Sequence, residues 1–289
     1  MERMERINWA LSRTLDTISA KPAPPLLAEA MRYAVFPGGA RIRPRLCLSV
    51  AVACGDDRPA ITDGAACAIE MLHCASLVHD DMPCFDNAAI RRGKPSVHVA
   101  YGEDLALLVG DALIVLAFEL LADAAADTPQ RLAPLTKRVA GSVGMPLGIV
   151  AGQAWECERQ VDLAHYHRTK TASLFAAATM AGAEAAGHYP GPWQTLGEKL
   201  GDAYQVADDL RDATATPEEI GKPVGQDEAF DRPNMVRERG LDATVLELKT
   251  LISDAIESIP KCPGAAELRD LVRNESRYFL PKKLAERAA

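Results

Sequence analysis

Apolar residues recur at intervals of three and four along most of this chain, alanine is abundant, and β-branched runs are few. That spacing is the period of one face of an α-helix, so helices should dominate. Residues 65–81 place Ile69, His73, Leu77 and Asp80 along one stripe, apolar for most of its length and polar at its C-terminal end. Such a helix delivers acids to the rim of a core. Residues 105–122 are apolar nearly all round, which predicts a helix buried in the middle of a bundle. Further helices are expected over 170–186, where alanines permit close packing, and over 192–212. Breaks are expected at 37–39, 83, 127–129, 188–192, 214–233 and 260–264. The fifth is the longest, about twenty residues, the length of a functional flap. No repeat, low-complexity tract or dividing linker interrupts the 289 residues, so the expectation is one all-α domain over 1–289.

A formal net charge of -8 argues against a general nucleic-acid binder, which needs a basic face to meet phosphate. An acidic chain that binds polyphosphate must do so locally, through metals or a few placed bases. Residues 1–9 carry Glu2, Arg3, Glu5 and Arg6 and no apolar run, unlike a secretory signal. The longest uncharged stretch, 139–155, holds Gly141, Gly144, Pro146, Gly148 and Gly152, unlike a membrane span of about 20 residues. The expectation is a cytoplasmic protein without a membrane span. Seven cysteines form no CxxC pair, and Cys47, Cys54, Cys67 and Cys74 fall near helical periods, which suits reduced thiols packed as small apolar groups.

Two acidic clusters stand out. The first reads His79-Asp80-Asp81-Met82-Pro83-Cys84-Phe85-Asp86-Asn87 and is followed by Arg91-Arg92-Gly93-Lys94; the second reads Gln205-Val206-Ala207-Asp208-Asp209-Leu210-Arg211-Asp212. Pro83 should end the first helix after Asp81 and let the chain bring Asp86 back toward Asp80. Asp208 and Asp212 are four apart and share a helix face, a like-charge spacing that is destabilising unless a cation sits between them. Either cluster alone reads as well as a solvated helix end. Two of them, each after an apolar run and each beside basic or amide side chains, suit Mg²⁺, which takes hard oxygen ligands and is shared with substrate phosphate. Arg and Lys interleaved with the acids fit a diphosphate held both by metal and by direct contacts.

These motifs, in this order, resemble the trans-isoprenyl diphosphate synthases, the polyprenyl synthetase family. Gly38-Gly39-Ala40-Arg41-Ile42-Arg43-Pro44 is similar to the family's Gly-Gly-Lys-Arg-x-Arg-Pro. Asp80, Asp81 and Asp86 match its first aspartate-rich motif with a two-residue insertion, and Arg91-Arg92-Gly93 the arginine pair after it. Gly110-Asp111, Gly152-Gln153, Lys170-Thr171, Tyr204-Gln205 and Asp208-Asp209-x-x-Asp212 complete the series. The resemblance implies an all-α, antiparallel helical bundle around a deep central cavity, usually a homodimer. It implies three Mg²⁺, two held by Asp80 and Asp86 and a third by Asp208, with Asp81, Asp209 and Asp212 supporting. Arg91, Lys170 and Lys222 would grip the allylic diphosphate. Arg43, His73 and Arg92 would hold isopentenyl diphosphate, while the backbone of Lys170 and Thr171 and the side chain of Gln205 would face the developing allylic cation.

Ala40 stands where the family usually has a lysine that contacts isopentenyl diphosphate, so the site loses one charge and either binds more weakly or recruits Arg41 instead. Arg232 replaces a usual flap lysine and keeps its charge. Glu156 replaces an expected aspartate and reads as packing and support. Product length would be set by Ala75 and Ser76, since a residue five before Asp80 lies about 7.5 Å deeper along a helix. Small residues there imply a twenty-carbon product, geranylgeranyl diphosphate, built on dimethylallyl, geranyl or farnesyl diphosphate; a fifteen-carbon farnesyl diphosphate synthase and a non-catalytic partner subunit are the alternatives.

Overall fold

The structure is a computed structural model that describes residues 2–20, 22–158, 168–214, 234–276 and 279. The flap expected over 214–233, with Lys222 and Arg232, lies outside them beyond Thr214. The described residues are mostly helical, with one short two-stranded hairpin. The chain divides into two compact units, Met1–Ala140 with Ala181–Tyr189, and Gly141–Met180 with Pro190–Ala289. Two of the boundaries fall inside helices, and the third falls at Tyr189-Pro190, within the break expected at 188–192.

The first unit holds α1 (Arg3–Ser19), α2 (Pro25–Val35), α3 (Ile42–Cys54), α4 (Pro59–Asp80), α5 (Val97–Tyr101), α6 (Glu103–Ala124) and most of α7 (Leu132–Val143). Helix α4 is its axis, buried on nearly every face and packed against α1, α2, α3 and α6. The α4–α6 pair shows how the sequence sets the spacing. A Cβ on Gly64 would lie 2.5 Å from Ala124 Cβ, and one on Gly110 would overlap the His79 ring. The start of α4 therefore meets the end of α6, and the reverse, so the two run antiparallel with glycines letting them close.

Helix α6 corrects one expectation. Ala106, Val109, Gly110, Leu113, Leu116, Ala117 and Leu121 are buried at helical spacing, but Leu107 and Leu108 are each 49% exposed and Val115 is 66% exposed. It is a helix with one face in the core and an outer face on which these apolar side chains alternate with acids such as Asp111 and Glu119, not one buried all round. By length and composition α4 and α6 could each cross a membrane; the apolar surface of α4 is accounted for inside its unit.

The second unit holds α8 (Ile149–Trp155), a π-helical turn (Arg168–Ala172), α9 (Ser173–Ala185, whose last turn belongs to the first unit), α10 (Gln194–Thr214), α11 (Met235–Arg239), α12 (Leu241–Glu257) and α13 (Ala265–Ser276). Helix α10 is central, against α11, α12 and the π-helical turn. Gly197 faces Ala176 and Gly201 faces Ala172, so α10 is antiparallel to the chain from that turn into α9.

A Cβ on Gly197 would overlap Ala176 Cα and lie 2.6 Å from Phe175 O, backbone atoms that cannot step aside. Gly197→Ala should therefore destabilise the protein by about 1–3 kcal/mol. Gly141 in α7 has nothing within 4 Å of its Cβ position, and Gly141→Ala should be neutral or stabilising by up to about 1 kcal/mol. Urea unfolding of the two variants separates close approach from helix propensity; equal effects would remove the packing explanation.

Candidate active site

Helix α4 ends at Asp80 with Asp81 as its cap, two residues before Pro83. The chain then folds back: Asp86 N–H donates to Asp80 O at 3.0 Å, and Ala88 N–H to Asp81 O at 3.1 Å. One carboxylate oxygen of Asp80 and one of Asp86 consequently lie within 4.8 Å of each other. The donor set fits Mg²⁺: hard oxygens, half-buried, brought together by the backbone.

The arginine pair is delivered by a feature the helical periodicity does not show. Residues Ile90–Arg91 (β1) and Lys94–Pro95 (β2) form an antiparallel hairpin in which Arg91 pairs with Lys94. Its two-residue turn is Arg92-Gly93, with φ of 55° and 74°. Both central residues are left-handed, as a tight hairpin turn requires, and the Arg-Gly dipeptide was the signal for it. Arg91 donates through Nε to both Asp81 oxygens at 2.9 and 3.1 Å and adds an Nη2 contact to Oδ1, while Asp80 Oδ2 lies 3.8 Å from Nη2. Asp81 is only 2% exposed. Burial pushes its carboxyl up and Arg91 works against that shift. In this geometry Asp81 orients Arg91, whereas Asp80 and Asp86 are the pair placed for metal.

Arg43, His73 and Arg92 come together in the same unit. Arg43 Nη1 lies 3.3 Å from His73 Nε2, and a Cβ on Gly39 would be 3.1 Å from Arg92 Nε. Burial, followed by Arg43, Arg92, Arg91 and Arg41, holds the His73 pKa well below its ordinary value of 6.5. A neutral imidazole among arginines leaves the pocket a basic one that suits an anion. On the same helix Ala75 is 1% exposed and Ser76 is half-buried, its hydroxyl donating to His73 O at 2.8 Å.

Arg41 occupies a different environment from the expected one. It adopts φ of 50° ahead of α3, its guanidinium meets Glu70 at 2.5 Å and Val35 O at 2.7 Å, and the side chain is 1% exposed. Gly38 lacks a Cβ because one would overlap that guanidinium. Arg41 thus holds the loop from Phe36 and does not replace the charge missing at Ala40. Glu70, which sequence reasoning missed, was detectable as a carboxylate inside the otherwise apolar run from Gly64 to Leu72. Lys94, also missed, donates to Tyr33 O at 2.6 Å and Phe36 O at 2.7 Å from the other side of that loop. Burial, then Arg92, lowers its pKa.

In the second unit, Lys170 Nζ meets Glu156 Oε1 at 2.5 Å, and Gln153 donates to the other Glu156 oxygen at 2.8 Å. Glu156 thereby positions Lys170. Thr171 Oγ1 donates to Gln205 Oε1 at 3.0 Å. Asp208 and Asp212 are half-buried on one face of α10, with Arg211 3.6 Å from Asp208, whereas Asp209 is turned inward and 5% exposed. Lys222 and Arg232 lie outside the described residues.

Two outcomes follow from this geometry. Glu70→Ala leaves a buried guanidinium unpaired and should cost about 3–5 kcal/mol of stability in urea unfolding, more than a Glu70→Met/Arg41→Met double variant. Neutral His73 gives stability that is complete above pH 6.5, because below that value the unfolded chain takes up a proton that the folded chain refuses. The urea midpoint should therefore fall less for His73→Gln than for the unaltered protein when the pH goes from about 7.5 to about 5.5; equal losses would refute the assignment.

The polyprenyl synthetase family model matches residues 24–267. The chain is 56% identical over 283 residues to a geranylgeranyl diphosphate synthase of Cereibacter sphaeroides, covering 98% of both chains. It is 54% identical to the geranylgeranyl diphosphate synthase of Rhodobacter capsulatus over 93% of both. Among solved structures, a geranyltransferase from Helicobacter pylori complexed with magnesium and isoprenyl diphosphate superposes with a TM-score of 0.79 at 30% identity, over 95% of this chain and 97% of that one. Sharing that helical fold and those matches along nearly its whole length, this chain belongs to the polyprenyl synthetase family.

Proposed function

We propose that this protein is a trans-prenyltransferase that makes geranylgeranyl diphosphate, by head-to-tail condensation of isopentenyl diphosphate with dimethylallyl, geranyl and farnesyl diphosphates in turn, as a single cytoplasmic polyprenyl synthetase domain. The observation that carries the reading is the first unit's arrangement: Asp80 and Asp86 within 4.8 Å of each other beside Arg91, with Arg43, His73 and Arg92 gathered nearby. The Cereibacter and Rhodobacter relatives favour the twenty-carbon product, and so does the small, buried Ala75.

Three Mg²⁺, held by Asp80, Asp86, Asp208 and Asp212, would supply Lewis-acid neutralisation of the leaving diphosphate. The chain's own residues do the rest. Arg43, His73 and Arg92 bind the diphosphate of isopentenyl diphosphate. Arg91 and Lys170, each aimed by a carboxylate partner, hold the allylic diphosphate, with Lys222 and Arg232 assigned from the sequence motif alone. The allylic C–O bond breaks, the isopentenyl double bond attacks the cation, and the proton it loses leaves on the released diphosphate. Each round adds five carbons and frees one pyrophosphate. Exclusion of water protects the cation, and the backbone carbonyls of Lys170 and Thr171 with the Gln205 side chain offer it oxygen dipoles. The exposed apolar side chains on the outer face of α6, Leu107, Leu108 and Val115, suit a second copy of the chain.

The test offers purified protein Mg²⁺, isopentenyl diphosphate and each primer separately, and resolves the dephosphorylated products by chromatography. Twenty-carbon product is expected from all three; fifteen carbons as the end point would make it a farnesyl diphosphate synthase, and no pyrophosphate release would refute the proposal. Asp86→Asn should lower kcat by at least about a hundredfold, and Ala75→Phe should shorten the product. Light scattering should give a mass about twice 31.1 kDa, reduced to the monomer by charges placed at Leu108 and Val115.

A further inference from the structure

Asp209 belongs by sequence to the second aspartate set, yet its surroundings differ from those of Asp208 and Asp212. It is 5% exposed, and both of its carboxylate oxygens accept from protein N–H groups: Oδ1 from Gln205 Nε2 at 3.1 Å, Oδ2 from the Met235 backbone N–H at 2.9 Å. Its own carbonyl oxygen accepts from Asn234 Nδ2 at 3.3 Å, and Asn234 Oδ1 accepts from Val236 N–H at the start of α11. Asp209 thus joins one turn of α10 to the residues where α11 begins.

The chemistry of these contacts decides which way the Gln205 amide points. A carboxylate only accepts, so the NH₂ end of Gln205 must face Asp209. Its carbonyl oxygen is then left for Thr171, whose hydroxyl donates to it at 3.0 Å. Thr171 could not make that choice alone, since a hydroxyl both donates and accepts. We propose that Asp209 is a positioning residue and not a metal ligand: it locks the Gln205 amide with its carbonyl oxygen toward Thr171, so that a dipole of the sign that stabilises an allylic cation faces the reacting carbon. The inference rests on the prenyltransferase reading.

An isosteric exchange separates this role from a structural or a metal-binding one. In Asp209→Asn the amide oxygen must still accept from Met235 N–H, so its NH₂ end faces residue 205. Gln205 then turns over, presenting its NH₂ toward Thr171 and the cation. The hydrogen bonds to Gln205, Met235 and Thr171 are kept but the dipole is reversed. The expected result is a kcat lower by about a hundredfold, with KM for both diphosphates, the Mg²⁺ midpoint and the melting temperature near those of the unaltered protein. Gln205→Glu added to Asp209→Asn restores an acceptor at both ends of residue 205: the new carboxylate takes one N–H from the amide introduced at position 209 and the Thr171 hydroxyl. Most of the lost kcat should return in that double variant.

The inference is overturned by a Mg²⁺ midpoint that rises in Asp209→Asn as it does in Asp208→Asn, by a double variant no better than the single one, or by an unchanged kcat. Should Asp209→Asn not fold alone, the double variant, with every donor matched, is expected to fold and turn over; its failure would equally overturn the proposal. Absence of activity in the unaltered protein would instead remove the prenyltransferase reading.

Discussion

The burial of Pro59–Asp80 is the constraint on which the first unit depends. Within eleven residues this helix carries Glu70, His73, Ala75 and Asp80, so a loop anchor, a candidate anion ligand, a proposed length-setting residue and a candidate metal ligand share one rigid axis. Their relative positions are fixed by a rise of about 1.5 Å per residue. The close approach to α6, made at Gly64 and Gly110, keeps that axis still. Because α4 is buried all round, its polar groups must find partners inside the protein, and each pairing then defines part of the site.

Charge pairing recurs as the means of aiming flexible cations. Arg91 is held by Asp81, Lys170 by Glu156, and Arg41 by Glu70. An unpaired arginine or lysine would sample many rotamers, and ordering it upon binding would weaken affinity. Here the carboxylates do that ordering in advance. The chain's acidity is therefore not opposed to the binding of diphosphate: part of it bears on the metal, and part directs the bases.

The four helices named from the period, and the breaks at 37–39, 83, 127–129, 188–192 and 260–264, were legible from period and proline placement, because both are local properties. The return of Asp86 to Asp80 was also legible, since Pro83 forces the chain to turn there. What could not be read involved long-range partners. Arg41 sits among substrate-binding residues in the sequence, but its conformation turns it toward Glu70, twenty-nine residues away. The outward face of α6 was hidden because apolar content does not tell which apolar side chains a fold leaves exposed. The Arg91–Lys94 hairpin is too short for its two strands to show a period. Asp209 resembles its neighbours in type and differs only in direction, about 100° around the helix from Asp208.

The hairpin places Arg91 and Lys94 as a cross-strand pair. Arg91 reaches the end of α4, while Lys94 reaches the carbonyls of Tyr33 and Phe36 at the end of α2. The ribbon is thus a clip across two helix ends, and a slip of one residue in its register would turn both prongs away together. The acidic turn and the glycine loop are assembled by the same register choice. Errors in the ribbon should be felt at both places at once, which makes completion of this part of the molecule one event and not two separable ones.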